Sequence, residues 1–214
     1  GLIAGINASA KARGEEPLVL QRHEAYIGVL IDDLVTKGTS EPYRMFTSRA
    51  EHRLMLNHGS AELRLWQHTK RLQLADDQRI ARMQDQNKRV GEWLQKFEAG
   101  KTKSGTYAEA QRRGEGEIVP EAFDKEPLAL REEILYRIRY RGYLEREERA
   151  IEKLGDLEKV ILPRELDYLK IAGLRKESAL KLNDLKPITL AQASRISGVN
   201  PTDVTILMLA VRKG

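Results

Sequence analysis

Arg44, Arg49 and Arg53 follow one another closely, with Lys37 just ahead and Tyr43 and Phe46 interleaved. A guanidinium fork matches the geometry of a phosphate, and an aromatic ring offers a face on which a base can stack. Arg49 and Arg53 are four residues apart, so in a helix both would leave one face. The chemistry this set could do is the binding of a phosphorylated or nucleic-acid partner. The alternative stays open: a capped amphipathic helix whose arginines are solvated or paired with Glu41 and Glu51.

The elements that would position these arginines can be read around them. Gly38 permits positive φ and Pro42 pushes Glu41 towards extended backbone, so residues 38–43 cannot be regular helix. Ser48 and Glu51 have the spacing of a capping box, which predicts a helix running on through Leu54, Met55 and Leu56. Upstream, Ile27, Leu30, Ile31, Leu34 and Val35 recur at helical spacing and predict a helix over 23–37. Within it Asp32 and Asp33 are adjacent, so their carboxylates splay about 100° apart and make a poor metal pair. They read as solvated or arginine-paired carboxylates, against a rival in which they hold a metal for hydrolysis. Residues 1–11 are small and apolar, suited to close helix packing, and 11–20 read as a loop around Gly14 and Pro17.

Further along, Leu63, Leu65, Trp66, Leu72 and Leu74 predict a helix or helix-turn over 61–74. Asp76 or Asp77 can cap a helix over 76–100, which carries a stripe of Ile80, Met83, Val90, Trp93, Leu94 and Phe97 and is closed by Gly100. Residues 101–116 read as a mobile loop and the best internal boundary. Over 134–144, Tyr136, Ile138 and Tyr140 alternate with Arg137, Arg139 and Arg141 as in a half-buried strand, yet the apolar positions also fit a helix. One long helix over 128–154, with Gly142 inside it, is the reading favoured by its length and neighbours. The arginine–tyrosine alternation could contact phosphates and stack on bases, or pack tyrosines in a seam under arginine stems.

The last fifty residues predict short helices: one opened by Pro163, one over 176–185 after Gly173, one capped by Thr189 and Gln192 and closed at Gly198, and one begun by Asn200 and Pro201. The final helix is apolar nearly all round and must be buried in its bundle or under a partner. The expected fold is therefore all-α: a multi-helical domain ending in a compact bundle of short helices. Residues 1–24, 25–155 and 156–214 are its expected divisions.

Composition excludes several classes. The 214 residues contain no cysteine, which removes disulfides, thiolate nucleophiles and cysteine-ligated metals. Lysine and arginine number 37 against 32 acids, a net charge of +5 compatible with RNA or with an ordinary basic protein. No apolar run approaches the roughly 20 residues of a membrane span, and no signal-peptide pattern is visible. The four histidines lack metalloprotease spacing, and there is no nucleophile elbow, dinucleotide fingerprint or phosphate loop. The abrupt start on Gly-Leu-Ile-Ala-Gly-Ile, without methionine, reads as a piece of a longer chain.

Residues 26–38 (Tyr-Ile-Gly-Val-Leu-Ile-Asp-Asp-Leu-Val-Thr-Lys-Gly) and 41–51 (Glu-Pro-Tyr-Arg-Met-Phe-Thr-Ser-Arg-Ala-Glu) closely resemble the GidA family, also called MnmG. Residues 61–65, 138–144 and 192–199 resemble further family segments, and 1–8 resemble the last helix of its flavin domain. Two departures stand out. The family's Leu-X-Arg-Pro segment is not recognisable between residues 100 and 127, and Arg141 stands where the family usually has Glu.

The resemblance implies the C-terminal region of a cytoplasmic, FAD- and NADH-dependent enzyme that modifies carbon five of the tRNA wobble uridine together with the GTPase MnmE. It implies a homodimer in the full-length protein, with cofactors and catalysis upstream of this chain and no catalytic residue, cofactor or metal here. It further implies tRNA contacts at Lys37, Tyr43, Arg44, Arg49, Arg53 and Arg64. MnmE is expected to dock on the C-terminal cluster, through Ile171, Leu174, Arg195, Ile196, Val204 and Leu207. The rival expectation is a structural or protein-interaction module without RNA binding.

Overall fold

The computed structural model describes residues 1–37 and 41–213, with ten α-helices among them and one hairpin of two-residue strands. Lys37 ends its helix, but its side chain, like Gly38, Thr39 and Ser40, lies outside the described residues. The chain forms two compact units, each discontinuous: Gly1–Gly28 with Glu51–Glu145, and Val29–Ala50 with Arg146–Gly214.

The first unit is built on α1 (Leu2–Ala12), α3 (Ala61–Arg71), α4 (Asp77–Ala99), α5 (Tyr107–Arg112) and α6 (Leu128–Arg139). Asp76 starts α4 as its spacing predicts, its carboxylate accepting the Arg79 N–H at 2.7 Å. Val90, Trp93 and Phe97 of the expected stripe are buried with Ala108, Phe123, Leu130, Ile134 and Ile138. Phe123 meets Trp93 and Phe97 edge-on, with centroids 5.2 and 4.9 Å away, the arrangement the ring quadrupoles favour.

Three expectations for this unit are corrected. Residues 101–116 are not a mobile loop: β1 (Lys101–Thr102) pairs antiparallel with β2 (Gly105–Thr106) and leads straight into α5. Thr106 and Glu109 make a capping box at the start of α5, and Ala108, Ala110 and Gln111 are buried, so both flanks of this segment share one core. The strand reading of 134–144 fails, because α6 carries that stretch with Ile134 and Ile138 inward. The single long helix is in fact two, since Tyr140 leaves helical geometry (φ −98°, ψ 11°) and α7 (Arg141–Glu158) begins beyond it.

The basic turn is a fourth correction. No helix starts at Ser48. A single 3₁₀ turn, Thr47–Arg49, is followed by extended backbone at Ala50 (φ −104°, ψ 103°), and residues 51–56 form successive turns. Glu51 is not available as a capping partner because Arg22 binds it bidentately, with Nη2–Oε2 at 3.0 Å and Nε–Oε1 at 3.1 Å. A fork-on-fork ion pair outcompetes a neutral backbone donor for the same carboxylate.

The second unit contains most of α2 (Tyr26–Lys37), most of α7, and the closing helices α8 (Lys176–Leu185), α9 (Leu190–Ser194) and α10 (Pro201–Lys213). Its core is Leu162, Tyr168, Ala179, Leu182, Leu190, Ala193, Ile196 and Leu207. Gly173 and Gly198 adopt positive φ (+85° and +95°) at the turns where the sequence places breaks. The segment after Pro163 forms only a 3₁₀ turn, Tyr168–Lys170, rather than a helix.

The caps follow their spacing. Thr189 accepts the Gln192 N–H at 3.1 Å, while the Gln192 side chain reaches one residue further back, to the Ile188 N–H at 2.8 Å. Asn200 and Asp203 exchange reciprocal bonds at 2.9 and 3.0 Å and open α10 at Pro201.

Candidate nucleic-acid interface

The arginines singled out by the sequence have different environments. Arg49 lies in the second unit, where its Nη1 donates to Asp33 Oδ2 at 3.3 Å. Asp33 is fully buried (0% exposed), and Tyr43 also donates its hydroxyl to the same oxygen at 2.9 Å. The Arg49 guanidinium sits over the Tyr43 and Phe46 rings, 5.1 and 6.0 Å from their centroids. Asp33 is therefore an arginine- and tyrosine-paired carboxylate, as the bland reading of the acidic pair expected. Asp32 likewise receives Arg195 Nη2 at 3.1 Å, and Arg195 Nη1 reaches Glu158 at 3.0 Å. Both carboxylates thus pair with arginine. No group of three or more metal-ligating side chains exists among the described residues.

Arg44 belongs to the same unit and differs in kind. It is exposed and makes no side-chain hydrogen bond or ion pair among the described residues. Arg53, in the first unit, is equally exposed and equally unpaired among the described residues. The extended Ala50 rules out the expectation that Arg49 and Arg53 share one helical face.

The turn carrying Arg53 is held from several sides. His52 and Leu56 are buried beneath it, Tyr136 donates its hydroxyl to the Leu54 carbonyl at 2.8 Å, and Asn57 donates to Glu133 at 3.2 Å. Arg64 closes its far end, donating to the carbonyls of Asn57 at 2.7 Å and Glu24 at 3.1 Å and also to Ser60. Its guanidinium is held below the usual arginine range, chiefly by burial. Arg64 thus spends its donors on protein carbonyls and positions the segment that presents Arg53.

The C-terminal set also divides. Ile196 and Leu207 are buried core residues, and Arg195 is engaged by Asp32 and Glu158. Ile171, Leu174 and Val204 pack half-buried against the core. The final helix is not covered all round, since Leu209 is exposed, as are Leu169, Leu180 and Ile188 of the same unit. The sequence missed those four because period alone does not say which apolar residues the bundle leaves outside.

The Glu-to-Arg departure at 141 has a local explanation. Arg141 donates to Glu98 of α4 at 2.6 Å and to Glu145 of its own helix at 2.7 Å, so in this chain the cation bridges two carboxylates. Sequence reasoning also passed over Arg22, whose partner Glu51 is 29 residues away. No local signal could have found it.

Comparison with known proteins bears directly on this arrangement. Residues 150–214 match the family described as the tRNA modifying enzyme MnmG/GidA C-terminal helical bundle. The tRNA uridine 5-carboxymethylaminomethyl modification enzyme MnmG of Alkaliphilus metalliredigens is 40% identical over 98% of this chain and 37% of its own length. That of Clostridium novyi is 41% identical over the whole chain and 38% of its own length. Aquifex aeolicus GidA, in its form I crystal, superposes with a TM-score of 0.77 at 38% identity, covering 97% of this chain and 35% of that one. The chain thus spans a little over a third of the length of the relatives it matches. With the bundle, the helical order and the sequence agreeing over nearly all of its residues, the chain belongs to the MnmG/GidA family and corresponds to its C-terminal helical region.

Proposed function

We propose that this chain is the tRNA-gripping region of an enzyme that modifies the wobble uridine of tRNA at carbon five. The observation that carries the reading is the contrast among its arginines. Arg49, Arg64 and Arg195 are committed to protein acceptors, whereas Arg44 and Arg53 stand exposed with no acceptor among the described residues. A cation held out on an anchored turn is available to an external anion, and phosphate is the anion that arginine geometry matches. Tyr43 and Arg49 orient the Arg44 segment in this reading, and Arg64 orients the Arg53 segment. Lys37 belongs to the same set, although its side chain lies outside the described residues.

The family's flavin and nicotinamide chemistry is not assigned to these residues. Among the described residues there is no parallel strand–helix–strand unit to hold a dinucleotide pyrophosphate at a helix N-terminus. In our reading that chemistry belongs to the part of the relatives that this chain does not match. Docking of the GTPase MnmE and homodimer assembly belong to the same proposal and rest on the family relationship. The half-buried Ile171, Leu174 and Val204, next to exposed Leu169 and Leu209, are the residues a partner could reach on the C-terminal unit.

The test is a salt series of tRNA binding for wild type and an Arg44→Ala/Arg53→Ala double variant. Each lost phosphate contact should flatten the slope of log K against log salt by about 0.7–0.9. The double variant should therefore bind more weakly, with a slope shallower by about 1.5, and melt like wild type. An unchanged slope refutes the arginine assignment. Wild-type binding that ignores salt favours the interaction-module rival instead.

A further inference from the structure

We propose that Tyr140 and Tyr143 form a stacking platform for an unpaired nucleobase, with Arg53 and Arg139 as phosphate ligands on either side. The proposal rests on the RNA-binding reading above and assigns it a second, sequence-tolerant contact. Tyr136, Tyr140 and Tyr143 form a row along the junction of α6 and α7, with successive ring centroids 4.8 and 6.4 Å apart. The row emerges progressively. Tyr136 is half-buried and fixed through its hydroxyl to Leu54, while Tyr140 is 43% and Tyr143 59% exposed.

Rings of this size left so open at one spot are costly in water unless something covers them. Their spacing, four and three residues, keeps the rings on one side of the chain across the break at Tyr140, while Ile138 goes into the core. Local charge identifies the covering partner. Arg137 is answered by Glu133, and Arg141 by Glu98 and Glu145. Arg139, between them, is exposed, and its one side-chain hydrogen bond among the described residues, at 3.3 Å, goes to the neutral Gln111 amide oxygen. Arg53 adjoins Leu54, the residue to which Tyr136 is tied, and it too lacks an acidic partner among the described residues.

Two exposed phenol rings, with Arg139 next to Tyr140 in the chain and Arg53 next to the Leu54 that Tyr136 holds, match a strand of bases and phosphates. The aliphatic residues of this stretch, Leu135, Ile138 and Leu144, are buried or half-buried, so what it presents is aromatic faces beside cations, the pairing that base stacking and phosphate binding use. A duplex hides its base faces, so the ligand class is single-stranded or looped-out RNA.

The experiment compares binding of a heptauridylate single strand and of an RNA duplex with the same phosphate count. Wild type, Tyr140→Leu/Tyr143→Leu, Tyr140→Phe/Tyr143→Phe, Tyr143→Leu alone and Arg53→Ala are measured. The Leu double variant should lose about tenfold or more on the single strand while leaving duplex affinity and the salt slope unchanged. The Phe pair should bind like wild type, and Arg53→Ala should weaken both ligands and flatten the slope. Tyr143→Leu alone, at the most exposed position, should show part of the same selective loss with an unchanged melting curve.

Equal affinity of the Leu variants and wild type for the single strand overturns the platform while leaving the arginine contacts standing. An equal loss on both ligands overturns it as well. If wild type binds neither RNA in a salt-dependent way, the RNA reading itself falls and the platform with it.

Discussion

Asp203 is the residue whose replacement tests the C-terminal bundle most directly. It is 1% exposed and its Oδ2 accepts from Arg175 Nη2 at 2.5 Å, Ser178 Oγ at 2.8 Å and the Asn200 N–H at 3.0 Å, with Arg175 Nε at 3.1 Å. Asp203→Asn keeps the shape and one acceptor oxygen but removes the charge. Hydrogen bonds to a charged group contribute about 1.5–3 kcal/mol against about 0.5–1.5 for neutral ones, so downgrading this set costs about 2–4 kcal/mol. Arg175 is exposed enough to be rehydrated, which keeps the loss below that for a fully buried pair. At about 2–4 °C per kcal/mol for a chain of this size, the melting midpoint falls by roughly 4–16 °C.

Linkage gives a second readout of the same contact. The Arg175 guanidinium, ahead of the Asn200 and Ser178 hydrogen bonds, holds the Asp203 carboxyl far below the usual carboxylate range. Between the unfolded value, about 3.9, and the lower native one, the unfolded chain binds the extra proton, so stability rises with pH there. The wild-type advantage over Asp203→Asn is then complete above about pH 5 and shrinks as pH falls through and below the ordinary carboxylate range. Urea denaturation followed by far-UV circular dichroism from pH 7 to pH 2.5 measures both effects. A variant within about 0.5 kcal/mol of wild type at pH 7, or a gap that widens on acidification, refutes the assignment.

Two glycines should respond with opposite signs. A Cβ on Gly28 would stand 2.5 Å from the Gln21 carbonyl oxygen and 2.7 Å from that of Leu20, so Gly28→Ala should cost about 1–3 kcal/mol in thermal or urea unfolding. Gly91 lies inside α4 with nothing within 4 Å of its would-be Cβ, so Gly91→Ala should stabilise by about 0.5–1 kcal/mol. Arg141→Glu would set a third carboxylate beside Glu98 and Glu145. Because these pairs are surface ones, the loss should be about 1 kcal/mol or less and should shrink in high salt. A loss independent of salt would show that Arg141 acts through packing instead.

Elements whose signals are local were legible without coordinates. The Asp76 cap and the apolar stripe of α4 appear as read, as do the Lys176–Leu185 helix between its breakers and the Asn200-Pro201 opening of α10. Where the reading failed, a distant residue had taken a local one's partner. Ser48-x-x-Glu51 has the letters of a capping box, but Arg22 claims Glu51 and the helix never starts. Thr106-x-x-Glu109 has the same letters within a glycine-rich stretch and does cap α5, because the nearby Arg113 binds Glu115 and leaves the Glu109 carboxylate to accept the Thr106 N–H at 2.8 Å.

The sequence by itself determined the family, the all-α class and the helix ends set by side chains three or four residues apart, since those bonds form within a single turn of chain. The tertiary structure alone decided which cations remain for an external anion. Asp33, Glu51 and the Asn57 carbonyl neutralise or occupy Arg49, Arg22 and Arg64, while Arg44 and Arg53 keep their charge in solvent. An arginine's role depends on the acceptor nearest its guanidinium, and only the folded chain brings residues 16, 29 or 40 positions apart to hydrogen-bond distance.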